Sequence, residues 1–130
     1  MRSTRSLVGP IREGGFMDLE GIQRRIRAFR DERDWMQFHN PKNLAISIAV
    51  EAAELLEQFQ WRTPEQSERH ALDAKDKIAD EVADIAVYLI ELCDNLRIDL
   101  EHAILAKLQR NAEKYPVNKA KGSAKKYTEL

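Results

Sequence analysis

Apolar residues recur every three or four positions along most of this chain, and Pro or a short polar side chain interrupts the rhythm at intervals. In DLEGIQRRIRAFRDERDW, Leu19, Ile22, Ile26 and Phe29 fall on one stripe behind Asp18, a capping residue, which predicts a first helix. WMQFHNP breaks it: Pro41 disfavours a helical Asn40, while Asn40 can cap a second helix with Pro41 at its first position. That helix is expected to carry the stretch from Asn43 to Trp61. Leu44, Ile48, Ala52, Leu55 and Phe59 form one face, and Ser47, Glu51, Glu54 and Gln58 the face beside it.

Thr63 and Pro64 supply the next stop and start, and EQSERHALDAKDK reads as a short or frayed helix leading into a long one from about Asp76 to Leu96. A last helix follows Asp99 and ends before Pro116. Leu100, Ala103, Ile104, Leu108 and Ala112 are its stripe, with Lys107, Asn111 and Lys114 aligned beside them. No alternating Val/Ile/Thr-rich run predicts a strand. The expected fold is an all-α bundle of roughly four to five helices over residues 17–116. Residues 1–16, with Gly9, Pro10, Gly14 and Gly15, read as a flexible extension, with Met17 as a candidate natural start. Residues 117–130 read as a polar, mobile C-terminal tail.

At 130 residues and 43% hydrophobic content, the chain has the size and apolar mass for one domain. Its formal net charge of -1 offers no basic field, so polymeric nucleic acid and acidic membrane surfaces are disfavoured partners. The single cysteine, Cys93, sits in the apolar run YLIELCDNL and reads as a buried small hydrophobe; it excludes a disulfide within the chain and fits a reducing compartment. No apolar run has membrane-spanning length and MRSTRSLVGP lacks a signal-peptide centre, so a cytoplasmic location is expected.

Two acid pairs stand out from this background. Glu51 and Glu54 are three apart on the second helix, hence about 60° apart around its axis and about 4.5 Å along it. Glu81 and Asp84 repeat the spacing in KIADEVADIAVYLIEL, flanked by Ile78, Val82, Ile85, Val87 and Leu89. Acids beside an apolar face repel one another and lose hydration unless a cation or donors compensate. Similar pairs, Asp31/Asp34 and Glu91/Asp94 among them, read as solvated faces in a chain with 33% charged residues. The spacing thus admits both a metal site and two ordinary acidic faces.

If it is a metal site, carboxylate-only ligation suits Mg²⁺, with Mn²⁺ as a substitute, rather than zinc or iron. The Glu-x-x-His motifs of di-iron bundles are missing, and His39, His70 and His102 read as ordinary polar residues. No Gly-x-x-x-x-Gly-Lys-Ser/Thr loop is present, which excludes a P-loop enzyme. Lys107, Asn111 and Lys114 could face a polyphosphate or solvent. Trp35 and Phe38 could plug the bundle's end or face a nucleobase.

EVADIAVYL preceded by VEAAELLEQFQW resembles the Glu-x-x-Glu, Glu-x-x-Asp pattern of the all-α nucleoside triphosphate pyrophosphohydrolases, the MazG-like superfamily. ERDWMQFHNPKNLAISIAVEAAELLEQFQW, RIDLEHAILAKLQRNAEKYPV and KKYTEL extend the resemblance, towards the dCTP pyrophosphatase branch, over nearly the whole chain from about Leu19. The resemblance implies Glu51, Glu54, Glu81 and Asp84 as Mg²⁺ ligands, with Glu51 or Glu54 holding the attacking water. It places Trp35, Trp61 and Tyr88 around the nucleotide, and Lys107 and Asn111 near its phosphates. The implied reaction converts a nucleoside triphosphate, dCTP or a modified pyrimidine relative, to the monophosphate and pyrophosphate in a homodimer or homotetramer. Ile26 stands where mammalian members carry a histidine, which leaves base preference open. The other class of reading is a non-catalytic helical assembly or regulatory module of the same fold.

Overall fold

Side-chain caps open four of the helices where the sequence places them. The computed structural model describes residues 17–130, and the extension expected over residues 1–16 lies outside the described residues. Asp18 accepts a hydrogen bond from the Gly21 amide and starts α1, Leu19–Glu32. Asn40 accepts from the Asn43 amide and starts α2, Pro41–Glu57, with Pro41 at its head. Thr63 and Gln66 form a reciprocal capping box at α3, Pro64–Asp73. The long helix α4, Lys75–Asn95, follows, and Asp99 caps α5, Leu100–Lys114.

The architecture is all-α; among the described residues there is no strand. α2 and α4 make the most extensive helix pair, and α1 and α3 each pack on α4 as well. Leu44, Ile90 and Cys93 are the buried apolar residues of this seam. Burial pushes the Cys93 thiol above its usual range, in keeping with a packed rather than reactive sulfur. α5 leaves Ile104, Leu105 and Leu108 exposed, so part of the apolar stripe read from the sequence lacks cover within the described residues, while Leu100 and Ala103 are half-buried.

Two connections depart from expectation. α2 stops at Glu57 rather than continuing to Trp61. Thr63 is extended ahead of Pro64, and the chain turns before it: Arg62 donates to the Gln58 carbonyl, while the Gln58 side chain bonds His70 Nε2 on α3 at 2.9 Å. Trp61 therefore lies in the connection, 88% exposed. Residues 117–130, expected as a mobile tail, include a short helix α6, Val117–Ala120, and a 3₁₀ turn, Tyr127–Glu129. Tyr127 stacks edge-on against Tyr115 with centroids 6.0 Å apart, and the Lys114 ammonium lies 4.9 Å from its ring centre.

The turn after α1 brings the first helix end and the start of α2 together. Asp34 takes the left-handed conformation at φ 54°, and the Trp35 amide reaches back to the Arg30 carbonyl at 3.0 Å, closing the helix end. Asp is among the residues that tolerate this region. A 3₁₀ turn, Met36–Phe38, then carries the chain to α2. Phe38 stays 58% exposed and so does not plug the bundle, whereas Trp35 packs edge-on against Phe29 at 5.7 Å. No helix among the described residues is long and apolar enough to cross a membrane.

Candidate metal centre and adjoining cavity

The α2–α4 pairing sets the two acid faces against each other. Carboxylate oxygens of Glu51, Glu81 and Asp84 lie within 4.8 Å of one another. Glu51 and Glu81 are half-buried, and each has one oxygen, Oε2, that is sealed from solvent and has no hydrogen-bond partner among the described residues. Burial raises the proton affinity of Glu51, and the neighbouring Glu54, Asp84 and Glu81 charges add to it, pushing its pKa up to about 7. Glu81 is raised for the same reasons, burial first and then Glu54 and Asp84. Glu54 thus stands against both, although it is not one of the three whose oxygens converge.

Orphaned, buried carboxylate oxygens that repel one another are what a hard divalent cation would satisfy. The trio contains no His or Cys, so its donor set fits an oxygen-loving ion rather than zinc. Glu51, Glu81 and Asp84 are the residues present to hold such an ion, and the chemistry of the set fits a divalent metal.

A cavity of about 690 Å³ opens beside the acids, between α1, α4 and the turn before α2. Asp84 belongs to both features. Ile22, Ile26, Phe29, Trp35 and Val87 give the cavity apolar walls, and Tyr88 adds a ring with a polar end. The Tyr88 hydroxyl is held above its usual pKa by burial and by the charges of Glu51, Asp84 and Glu91, with a hydrogen bond to Ser47 acting the other way. The cavity's volume and largely apolar surface, with charged side chains along its edge, suit a small-molecule ligand.

Of the residues singled out in the sequence, Glu51, Glu81, Asp84, Tyr88 and Trp35 meet at this place, and Glu54 adjoins it. Trp61 lies in the exposed connection after α2, and Lys107 and Asn111 lie on α5; none of the three lines the cavity.

The structure also brings in residues not singled out for a site in the sequence. Glu91, expected on a solvated face, is 2% exposed, and Arg30 is 8% exposed beside it. The Arg30 guanidinium Nη1 lies 3.4 Å from Glu91 Oε1 and 3.0 Å from Asn95 Oδ1, while Nε donates to Asp31 at 2.8 Å. His39, expected as an ordinary loop residue, places Nδ1 2.7 Å from the same Glu91 oxygen. Arg30, His39 and Glu91 all line the cavity. One signal could have found Glu91: Glu81, Asp84, Tyr88 and Glu91 continue one face of α4.

A family model described as MazG-like matches residues 46–130 of the chain. The dCTP pyrophosphatase 1 of Bos taurus is 40% identical over 124 residues, spanning 94% of this chain and 73% of that protein. The human dCTP pyrophosphatase 1 is 40% identical over 114 residues, 86% of this chain and 67% of that one. A crystal structure of a pyrophosphatase from Archaeoglobus fulgidus superposes with a TM-score of 0.74 at 38% identity, covering 82% of this chain and 99% of that one.

Proposed function

This chain belongs to the MazG-like family, and from that premise we propose that it is a Mg²⁺-dependent nucleoside triphosphate pyrophosphohydrolase acting on dCTP or a modified pyrimidine relative. The observation that carries the reading is the convergence of Glu51, Glu81 and Asp84, two of them with orphaned buried oxygens, at the edge of an aromatic-walled cavity. Acids at one end and rings at the other match the two ends of a nucleotide: phosphates that travel with a divalent cation, and a flat base.

When bound, the divalent cation supplies charge withdrawal from phosphate oxygens and acidification of nearby water. Glu51, Glu81 and Asp84 would hold it. Glu54, adjoining Glu51 and Glu81, would accept a proton from a water turned towards the α-phosphorus. The water oxygen bonds to that phosphorus, the bond to the α,β-bridging oxygen breaks, and pyrophosphate departs with the bridging oxygen. Trp35 and Tyr88 would hold the base and sugar while this occurs. Ile22, Ile26 and Phe29 would give the base an apolar wall.

Lys107 and Asn111 come into this scheme through assembly. The exposed Ile104, Leu105 and Leu108 of α5 call for cover, and we read the chain as a homodimer or homotetramer in which α5 of one copy meets another. That arrangement would let Lys107 and Asn111, and the exposed Trp61, approach a site they do not line within one chain. The test is a panel of nucleoside triphosphates with Mg²⁺, scored for pyrophosphate release. Turnover with cytosine nucleotides favoured is expected, and absence of turnover across the panel would leave the fold without this activity.

A further inference from the structure

Glu91 is costly to place where it is. It is a carboxylate with 2% exposure on the apolar helix α4, and a hydrophobic residue there would complete the seam with no ionic partner needed. The chain instead supplies a fixed cation, Arg30 from α1, and an imidazole, His39 from the turn before α2, both to the same oxygen, Oε1. The second oxygen, Oε2, makes no hydrogen bond with any described residue. Unlike the unpartnered oxygens of Glu51 and Glu81 it is not sealed off, and Glu91 forms part of the cavity wall.

The position along α4 gives this oxygen a role. Asp84, Tyr88 and Glu91 lie in order on one face, with Glu91 two helical turns, about 10 Å, beyond Asp84. Resting on the reading of the acids as the phosphate end, a nucleotide laid along this face puts its sugar near Tyr88 and the far edge of its base at Glu91. An ionised carboxylate only accepts hydrogen bonds. It therefore pairs with an amino group on the base edge, as acidic side chains do with the N4 amine of cytosine, and it opposes a carbonyl oxygen at the same place.

We propose that Glu91, oriented by Arg30 and His39, is a specificity-determining residue that accepts a hydrogen bond from the exocyclic amino group of the base. It selects cytosine-type bases against uracil and thymine, whose O4 would face the carboxylate. Arg30 and His39 act through Glu91 as positioning residues: they leave it one free acceptor and fix where that acceptor points.

The test is equilibrium binding, which needs no turnover. Calorimetric titration of the full chain in Mg²⁺ buffer with dCMP and dUMP should show dCMP tighter by about ten- to a hundredfold, the range for a hydrogen bond to a charged group. In Glu91→Gln the amide can donate to O4, so the ratio should collapse or invert while the variant keeps its helicity by circular dichroism. If that variant does not fold, the wild-type chain answers alone. The 5′-monophosphate of the pyrimidin-2-one deoxynucleoside, which lacks only the amino group, should bind at least tenfold more weakly than dCMP. Equal affinities for dCMP and dUMP, no detectable binding of either, or an unchanged ratio in Glu91→Gln would overturn the proposal. A dCMP preference lost in Glu91→Gln, without hydrolysis of any triphosphate, sinks the pyrophosphohydrolase and leaves the base site; hydrolysis without base discrimination does the reverse.

Discussion

Adding a divalent cation should raise the thermal stability of this protein, and replacing Asp84 by Asn should remove most of that rise. Three carboxylates within 4.8 Å, two with orphaned buried oxygens, are a repulsive arrangement in the metal-free chain. An ion that binds only the folded state at 100 times its dissociation constant contributes about 2.7 kcal/mol. With an unfolding entropy of about 2.1 cal/mol/K per residue over 130 residues, that converts to a rise in Tm of about 10 °C. Asp84→Asn takes away one ligand charge and one source of repulsion. It should leave the metal-free Tm unchanged or slightly higher and cut the Mg²⁺ response to a few degrees. A merely destabilising change would lower both curves together, so the crossing pattern is diagnostic. Differential scanning calorimetry in EDTA and in saturating Mg²⁺, at one protein concentration, measures both. Equal midpoints for the wild type, or a full shift in Asp84→Asn, would rule out the metal site.

Three other outcomes rest on particular residues. Because the folded-state pKa of Glu51 is raised from 4.5 to about 7, its contribution is present below the unfolded value and is lost as pH rises through the folded one. In EDTA the Tm should therefore fall across that window, and Glu51→Gln should flatten the fall; a Tm that climbs from pH 5 to about pH 7 in both proteins would contradict the raised pKa. Arg30→Met strands a carboxylate that is 2% exposed and should cost about 3 kcal/mol in urea unfolding, whereas adding Glu91→Leu should restore most of it; a single variant within about 1 kcal/mol of wild type would show the pair to be dispensable. Trp35→Ala should weaken dCTP binding by about 1 to 3 kcal/mol by calorimetry with helicity retained, and unaltered affinity would make the ring purely structural.

How much of the fold and the site is legible in the sequence depends on how local each signal is. Asp18, Asn40–Pro41, Thr63–Pro64 and Asp99 announce helix starts through bonds within three residues, and the structure makes those bonds. The acid pairs are visible as spacing, but spacing alone does not separate Glu81/Asp84 from Glu91/Asp94; packing of α2 on α4 does. Glu91 is hidden because its partners stand 61 and 52 positions away in sequence, and only the turn through Asp34 brings Arg30 and His39 to it. Asp94, its companion in the pattern, does something else, pairing with Arg27 at 2.6 Å. The end of α2 is misplaced by periodicity since no Gly or Pro marks Gln58; the stop is set by side-chain bonds to Arg62 and His70. In the C-terminal segment, Lys-rich composition points to a mobile tail and masks the Tyr115–Tyr127 contact that anchors it.

The central claim is that these acids direct water onto the α-phosphorus of a nucleoside triphosphate. Hydrolysis of dCTP with Mg²⁺ in ¹⁸O-labelled water, with the products resolved by mass spectrometry, tests it most directly. One labelled oxygen in dCMP and none in pyrophosphate is the expected result. Label in the pyrophosphate would move the attack to the β-phosphorus, and release of dCDP with inorganic phosphate would contradict the reaction itself.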